Sequence, residues 1–382
     1  MSPFCTKRTH KRLARNFYFR VRTGHQLADV RLFHEFGLLT RVDRIKYSVN
    51  SFVELAARPA GAAVFRTTFE SNKMAVPASC SAALVAVDWG TTNRRGYLLD
   101  GNGAILDERK DALGLVNVKD GRFQEAFEIL TAPWIETYGA MPALLSGMVG
   151  AIKGWTEAPY CPLPAGLDEL AGSLERAPSD DQIWIVPGVS TRDRMGVADV
   201  IRGEEIQAIA AGGQEDSSLI VVPGTHSKWV HIREGRIVEF TTFMTGDLYG
   251  AILNHTVISQ LRVKDSIGDQ KIFALGVDVG YSHSGDLTHV LFGARTRVLF
   301  GELAPEAVSD YLSGLLIGAE IAGALSAHGP DVPSVKLIGS ERLCETYRMA
   351  LESRGAKVSV VRLCATGRIY ADLAKRAGIL KT

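Results

Sequence analysis

Residues 83–93 read ALVAVDWGTTN, and this stretch decides the fold. The run 83–88 is short, continuous and apolar, rich in Val and Ala, which is the pattern of a buried strand. It ends on Asp88, and Gly90, Thr91, Thr92 and Asn93 follow at once. RGYLL then reads as a second strand, DGNG (100–103) as a tight hairpin turn, and AILDERK as a third strand. The unit is strand, polar Gly/Thr turn, strand, tight turn, strand.

The same unit returns about 135 residues later. SLIVVPG (218–224) is a buried strand, THS a polar turn, KWVHIR (228–233) a second strand, EGR a turn, and IVEFTTFM a third strand. That period is too long for a solenoid and suits two similar α/β domains. Helical patterns fill the intervals at 121–130, 203–212 and 304–328. SVKLIGS (334–340) reads as a strand entering a Gly/Ser turn. ERLCETYRMALESRG follows as a helix with Gly355 at its end, and VSVVRL (358–363) as a further strand. Alternating strands and helices predict an α/β protein with mixed sheets.

The chain has 382 residues and is 46% apolar, enough for two or three domains. A net charge of +1 gives no global field that would select nucleic acid or an anionic membrane. The charge is nonetheless uneven. Residues 1–73 hold 14 Lys/Arg against 5 Asp/Glu, and the remainder hold 29 against 37. This basic segment reads in three ways: an RNA- or membrane-touching arm, an organelle leader, or an upstream extension with Met74 as the working start. The last fits best, because the first core strand begins soon after Met74. Cys5, Cys80, Cys161, Cys344 and Cys364 are scattered and form no CxxC, against a disulfide framework or a structural zinc site. No apolar signal core is evident near the N-terminus, so a cytoplasmic location is expected.

The chemistry gathers at the turns. Gly90 lets the backbone approach a polyanion, and the N–H groups and hydroxyls of Thr91, Thr92 and Asn93 can donate to phosphate oxygens. Asp88 can hold Mg²⁺ directly or through water. Gly224, Thr225, His226, Ser227 and Lys228 occupy the matching turn of the second unit. Two such hairpins, one per domain, can clamp a triphosphate from both sides. A bland alternative exists for each alone, a strand-ending turn capped by its own polar residues. Gly339 and Ser340 form a third turn, suited to packing against adenosine. Asp199, Glu204 and Glu205 are candidates for the carboxylate that steers an acceptor hydroxyl; Glu204 and Glu205 also open a helix, where an anion is favoured for structural reasons. Ser146, Gly147 and Met148, followed by Lys153, Trp155, Glu157 and Tyr160, suit a pocket for a polar hydroxylated acid, or a plain surface loop.

Taken in order, VAVDWGTTNRRGYLLD, SGMVGAIKGWTEAPY, DVIRGEEIQ, VVPGTHSKWVHI, TTFMTGDLYG and SGLLIGAEI resemble the 2-dehydro-3-deoxygalactonokinase family, from about residue 83 to the end. The resemblance implies two actin-like ATPase (ribonuclease H-like) domains with an interdomain cleft. On that basis residues 80–212 form the first domain, 213–382 the second, and 1–79 an extension that the fold need not include. It also implies ATP-dependent phosphorylation of 2-dehydro-3-deoxy-D-galactonate at its 6-hydroxyl, in galactonate and galactose breakdown. RGEE is similar to the acidic helix start of exopolyphosphatases and Hsp70 proteins, which favours Glu204 over Asp199. The loop at 150–155, GAIKGW, departs from the family's GSRQGW, which bears on epimer preference. The expected partners are ATP, Mg²⁺ and a small sugar acid, with no nucleic acid or membrane. A homodimer through the apolar helix at 304–328 is one use of that helix, and burial in the core is the other. Competing functions are another sugar kinase, an exopolyphosphatase-like phosphohydrolase, and a non-catalytic nucleotide switch.

Overall fold

A computed structural model describes residues 81–381 apart from 179–181, 194–195, 214, 262, 264–267 and 327–333, and the backbone of four earlier strands. The four pair as antiparallel hairpins, β1 (Asn16–Thr23) with β2 (Gln26–Phe33) and β3 (Arg44–Tyr47) with β4 (Ser51–Glu54). They belong to the unit Met1–Ala75, and Val76–Thr382 form the other compact unit. Met74, and with it the choice among arm, leader and extension, lies outside the described residues.

In the larger unit, β5 (Ala82–Trp89), β6 (Arg94–Asp100) and β7 (Ile105–Asp111) form the first antiparallel meander. Helix α1 (Phe123–Tyr138) crosses it and carries the chain into β8 (Ala143–Gly147), parallel to β5. Gly96 lets that helix sit close, since a Cβ there would stand 2.9 Å from Leu130 Cδ2. After β9 (Tyr160–Pro162), α2 (Leu167–Gly172) and β10 (Glu175–Arg176), strand β11 (Ile183–Ile185) adds in parallel to β8. The sheet order is β10-β11-β8-β5-β6-β7. β12 (Gly188–Arg192) and β13 (Ala198–Ile201) join β9 in a small sheet, and α3 (Glu204–Gly212) leads to the second half.

There the pattern repeats. β14 (Ser217–Val222), β15 (Ser227–Arg233) and β16 (Arg236–Phe243) form the second meander. Three helices follow, α4 (Thr245–His255), α5 (Gln270–Ser282) and α6 (Leu287–Leu299), in a stretch where the sequence reading placed no elements. Then come α7 (Val308–Leu325), β17 (Val335–Ile338) parallel to β14, α8 (Glu341–Glu352), β18 (Val358–Val361) parallel to β17, and α9 (Thr366–Arg376). The order β16-β15-β14-β17-β18 reproduces β7-β6-β5-β8-β11, so the repeat seen in the sequence is a repeat of topology.

A shared core joins the halves. Leu84, Ala86 and Leu144 from the first sheet, Ile206 and Ile209 from α3, Ile220 and Val222 from the second sheet, and Tyr370 from α9 form one buried cluster. Helix α9 therefore returns to the first sheet: the Tyr370 hydroxyl meets Ser146 Oγ at 2.6 Å. Helix α7 is apolar and long enough, with the preceding turn, to cross a membrane by length and composition (Pro305–Leu325). Here it packs against α5 backbone to backbone. A Cβ on Gly280 would stand 1.9 Å from Leu315 O, and one on Gly314 would stand 2.1 Å from Phe273 O.

Candidate active site

Parallel pairing places the turns. Because β8 runs beside β5, Trp89 lies opposite Gly147, and the turns leaving these two strands are neighbours. Because β17 runs beside β14, the Gly339 turn reaches Pro223, to which a Cβ on Gly339 would come within 3.6 Å. Each half thus presents a pair of turns at the carboxyl ends of its central parallel strands, where α/β sheets bind ligands.

The first turn is held from behind. The Gly90 N–H donates to Asn93 O at 2.9 Å. The Leu115, Val116 and Gly114 N–H groups donate to the carbonyls of Gly90, Thr91 and Thr92 at 3.0, 3.1 and 3.1 Å. With its carbonyls engaged, the turn leaves Thr91, Thr92 and Asn93 exposed. Arg94 anchors its far end: buried, it grips Asp111 with two bonds of 2.9 Å and lies over the Trp89 ring. The second turn is held by the start of α4. Asp247 N–H donates to Thr225 O at 3.0 Å, and a Cβ on Gly246 would stand 2.5 Å from Gly224 O. Thr225 and His226 are exposed, and His226 Nε2 lies 3.1 Å from Asp247 Oδ2.

Between the turns sits Gly203, with φ near 106°, a conformation glycine tolerates. A Cβ there would stand 3.1 Å from Gly147 Cα and 3.8 Å from Asp88 Oδ1. The start of α3 is thereby brought against the end of β5. Glu204 Oε1 lies 3.5 Å from Lys228 Nζ, so the acidic helix start meets the second hairpin. Lys228 also donates to His226 O at 3.1 Å. Asp88, enclosed by protein but still reached by solvent, has its pKa raised to about 6 by burial and then by the Glu204 charge; Arg95 and Gln207 act the other way. Gln207 Nε2 donates to Asp88 Oδ2 at 3.4 Å.

Other candidates are placed differently. Glu205 is wholly buried, and its Oε2 accepts from Gly203 N–H at 2.6 Å; burial pushes its pKa up to about 8. Asp199 spends its carboxylate on the Val200 and Thr242 N–H groups, at 2.7 Å each, tying β13 to β16. Ser146 and Ser227 are fully buried. Ser146 is engaged by Tyr370, and Ser227 faces the interior, so neither hydroxyl is on the cleft face as the sequence suggested. Trp155 stacks on Phe123 at 6.5 Å and packs on the first core, which turns it from an open pocket into a wall. Met148 is half-buried, while Lys153, Glu157 and Tyr160 are exposed on the following loop. Ser340 is exposed beside the half-buried Gly339. Sequence reasoning missed Arg202, which is buried, lies 4.1 Å over the Tyr160 ring and donates to Ala158 O at 2.8 Å. It fastens the 150–160 loop to the start of α3. Its place beside Gly203 was the one available signal. Among the described residues, no group of three or more His, Cys, Asp and Glu side chains is arranged to hold a metal.

The profile of the 2-keto-3-deoxy-galactonokinase family matches residues 88–375. The chain belongs to this family. A Rhizobium meliloti (strain 1021) protein assigned as 2-dehydro-3-deoxygalactonokinase DgoK1 is 38% identical over 305 residues, covering 77% of this chain and 94% of its own. The 2-dehydro-3-deoxygalactonokinase of Escherichia coli (strain K12) is 35% identical over 284 residues, covering 74% and 93%. A solved Sinorhizobium meliloti structure assigned the same kinase name superposes with a TM-score of 0.69 at 36% identity, over 78% of this chain and all (100%) of that one. The fold of this 2-keto-3-deoxy-galactonokinase family member is α/β with mixed sheets, shared with that solved structure. Its family match begins at Asp88 itself, the acid of the first turn.

Proposed function

We propose that the protein transfers the γ-phosphoryl group of ATP to the 6-hydroxyl of 2-dehydro-3-deoxy-D-galactonate, as part of galactonate catabolism. The observation that carries this is the convergence of Asp88, Glu204 and Lys228. The acid of the first hairpin feels the charge of the acid that opens α3, and that acid in turn reaches a cation of the second hairpin.

Phosphoryl transfer asks the protein mainly for positioning and charge neutralisation. The Thr91–Asn93 turn and the Gly224–His226 turn offer N–H and hydroxyl donors to the phosphate chain from either side, and the Gly339–Ser340 turn borders the adenosine. Lys228, held by Glu204 and a backbone carbonyl, is placed to meet charge on the transferred group. Glu204 is the carboxylate best placed to orient the acceptor hydroxyl and take its proton as the new P–O bond forms and the bond to the β-phosphate oxygen breaks. It is part-exposed and sits between Lys228 and the Arg202 N–H, whereas Glu205 is buried and Asp199 is tied to β16 by the Thr242 N–H.

The residues present fit Mg²⁺. Asp88 is an enclosed carboxyl whose pKa burial and a like charge have raised, and a cation beside it removes both penalties. Magnesium commonly uses one or two carboxylates with phosphate oxygens and water, so Asp88 would hold it without a protein cage. When bound, the ion neutralises charge on the phosphates.

The loop from Met148 to Tyr160 borders the cleft beside Gly147 and carries Lys153, suited to the carboxylate of a sugar acid. A cytoplasmic location fits these substrates, with neither nucleic acid nor membrane as partner. Helix α7, the candidate dimer surface, is packed inside the chain, so a homodimer would use another face.

A coupled assay of ADP release with ATP-Mg²⁺ tests this, comparing 2-dehydro-3-deoxygalactonate, its gluconate epimer and no acceptor. Turnover confined to the galactonate acid is expected. Turnover with the epimer alone overturns the substrate assignment, and ADP release that ignores the acceptor overturns the kinase.

A further inference from the structure

One buried carboxyl lies outside the cleft and outside the mechanism above. Glu320, on α7, is 3% exposed. Its Oε1 accepts from Trp229 Nε1 at 2.8 Å and its Oε2 from the Tyr347 hydroxyl at 2.7 Å. The hydroxyls of Thr245 and Ser227 lie near it, and neither closes a hydrogen bond of good geometry to it. All four are neutral groups able to donate, and two of them, Trp229 and Tyr347, close hydrogen bonds to it.

The four donors do not come from one place. Ser227 closes the second phosphate turn, and Trp229 follows it on β15. Thr245 starts α4, whose next residue, Gly246, is pressed against Gly224 and Thr225. Tyr347 is on α8, the helix that begins directly after Gly339 and Ser340. The strand that leaves the second phosphate turn and the helix that follows the Gly339 turn are therefore tied, from beneath, to one side chain. Among the described residues, no hydrogen bond joins it to the sugar-acid loop at 148–160.

A buried carboxyl is costly when it meets no cation, and an apolar side chain of similar size often serves stability better. A carboxyl gripped at one oxygen by an indole N–H and at the other by a phenol hydroxyl is, however, held in direction, so the group fixes geometry. We propose, resting on the nucleotide reading of the Gly224 and Gly339 turns, that Glu320 is a positioning residue for ATP: it holds the second phosphate turn and the adenosine turn in one arrangement.

Steady-state kinetics of Glu320→Gln and Tyr347→Phe in the full-length protein test this, each beside wild type and Lys228→Met. Gln preserves the side chain's shape but replaces one acceptor with a donor. In both Glu320→Gln and Tyr347→Phe, KM for ATP should rise about fivefold to tenfold while KM for the sugar acid stays within about twofold, the split that marks lost binding of one substrate. Glu320→Asp should leave KM for ATP raised less than Glu320→Gln does, because it keeps both carboxyl oxygens. An unchanged KM for ATP in Glu320→Gln and Tyr347→Phe overturns the proposal. So does an equal worsening of both KM values together with a lower Tm, which marks a purely structural role. If Glu320→Gln does not fold, Tyr347→Phe, which removes only one hydroxyl, decides alone. Should Lys228→Met leave both kcat and KM for ATP unchanged, the nucleotide reading of the turn fails rather than the role of Glu320.

Discussion

The two halves share a strand order but not a chemistry. In the first, the strand entering the turn ends Asp88-Trp89-Gly90; in the second it ends Val222-Pro223-Gly224. The acid two positions before the glycine has no counterpart in the second half. That half instead carries Lys228 two residues after the exposed part of its turn. The supports differ as well. The first turn is backed by the backbone of 114–116, and the second by the start of a helix and by the cluster around Glu320. One sheet design thus supplies a carboxyl to one side of the cleft and an ammonium to the other. On the proposed function, a triphosphate with its cation would use this asymmetry, its metal at the carboxyl and its remaining charge at the ammonium.

The largest effect should come from removing the acid. Asp88→Asn is expected to lower kcat by roughly 10³, the scale of losing a main electrostatic stabiliser. The fold should survive, because the amide replaces a carboxyl that the enclosed site disfavours. The check is turnover across a Mg²⁺ titration with circular dichroism beside it. Full turnover in this variant would dissolve the contrast between the halves and remove Asp88 from the site.

The meanders, their turns and the repeat were legible because they rest on local signals. ALVAVD and SLIVV are buried strands whose faces need no alternation, and both break into Gly-Thr turns. The helices over 245–299 were not legible: Gly246, Gly276 and Gly280 weaken helical propensity there, and they are kept because tertiary contacts need bare backbone. The same limit applied to side chains. Ser227 and Ser146 read as ligand donors because a hydroxyl in a glycine-containing turn looks alike whether it faces outward or into the core. Strand alternation, with Lys228 and Ser227 pointing oppositely, held the clue for one of them. The return of α9 with Tyr370, and the grip of Arg202 on Tyr160, depend on contacts across 224 and 42 residues of chain, which no short window contains.

On the other side of the cleft, Lys228→Met should reduce kcat/KM for ATP by about 10²-fold, somewhat less than the acid variant. An ammonium held by Glu204 and a carbonyl can be partly replaced by a bound cation. The long apolar stem still packs, so Tm should change little. A loss confined to KM for the sugar acid would move Lys228 from the phosphate side of the cleft to the acceptor side.

The smallest effect on turnover should come from Glu205→Gln, which separates two adjacent acids at the start of α3. Glu204 reaches Lys228, whereas Glu205 is enclosed and needs only one acceptor for the Gly203 N–H, which an amide oxygen also provides. Turnover should therefore stay within about threefold, far below the 10²-fold or more expected on losing a general base. Stability should respond instead. The Glu205 carboxyl has a pKa near 4.5 when exposed and about 8 in the fold. Between those values the unfolded chain releases a proton that the folded chain keeps, so wild-type stability falls as pH rises from about 4.5 to 8. Glutamine carries no such penalty. The variant's Tm should equal or trail wild type near pH 4.5 and overtake it by several degrees at pH 8, read by differential scanning calorimetry. A Tm difference independent of pH would show that Glu205 does not titrate in this window. A thousandfold loss of turnover would make Glu205, not Glu204, the carboxylate that takes the acceptor's proton.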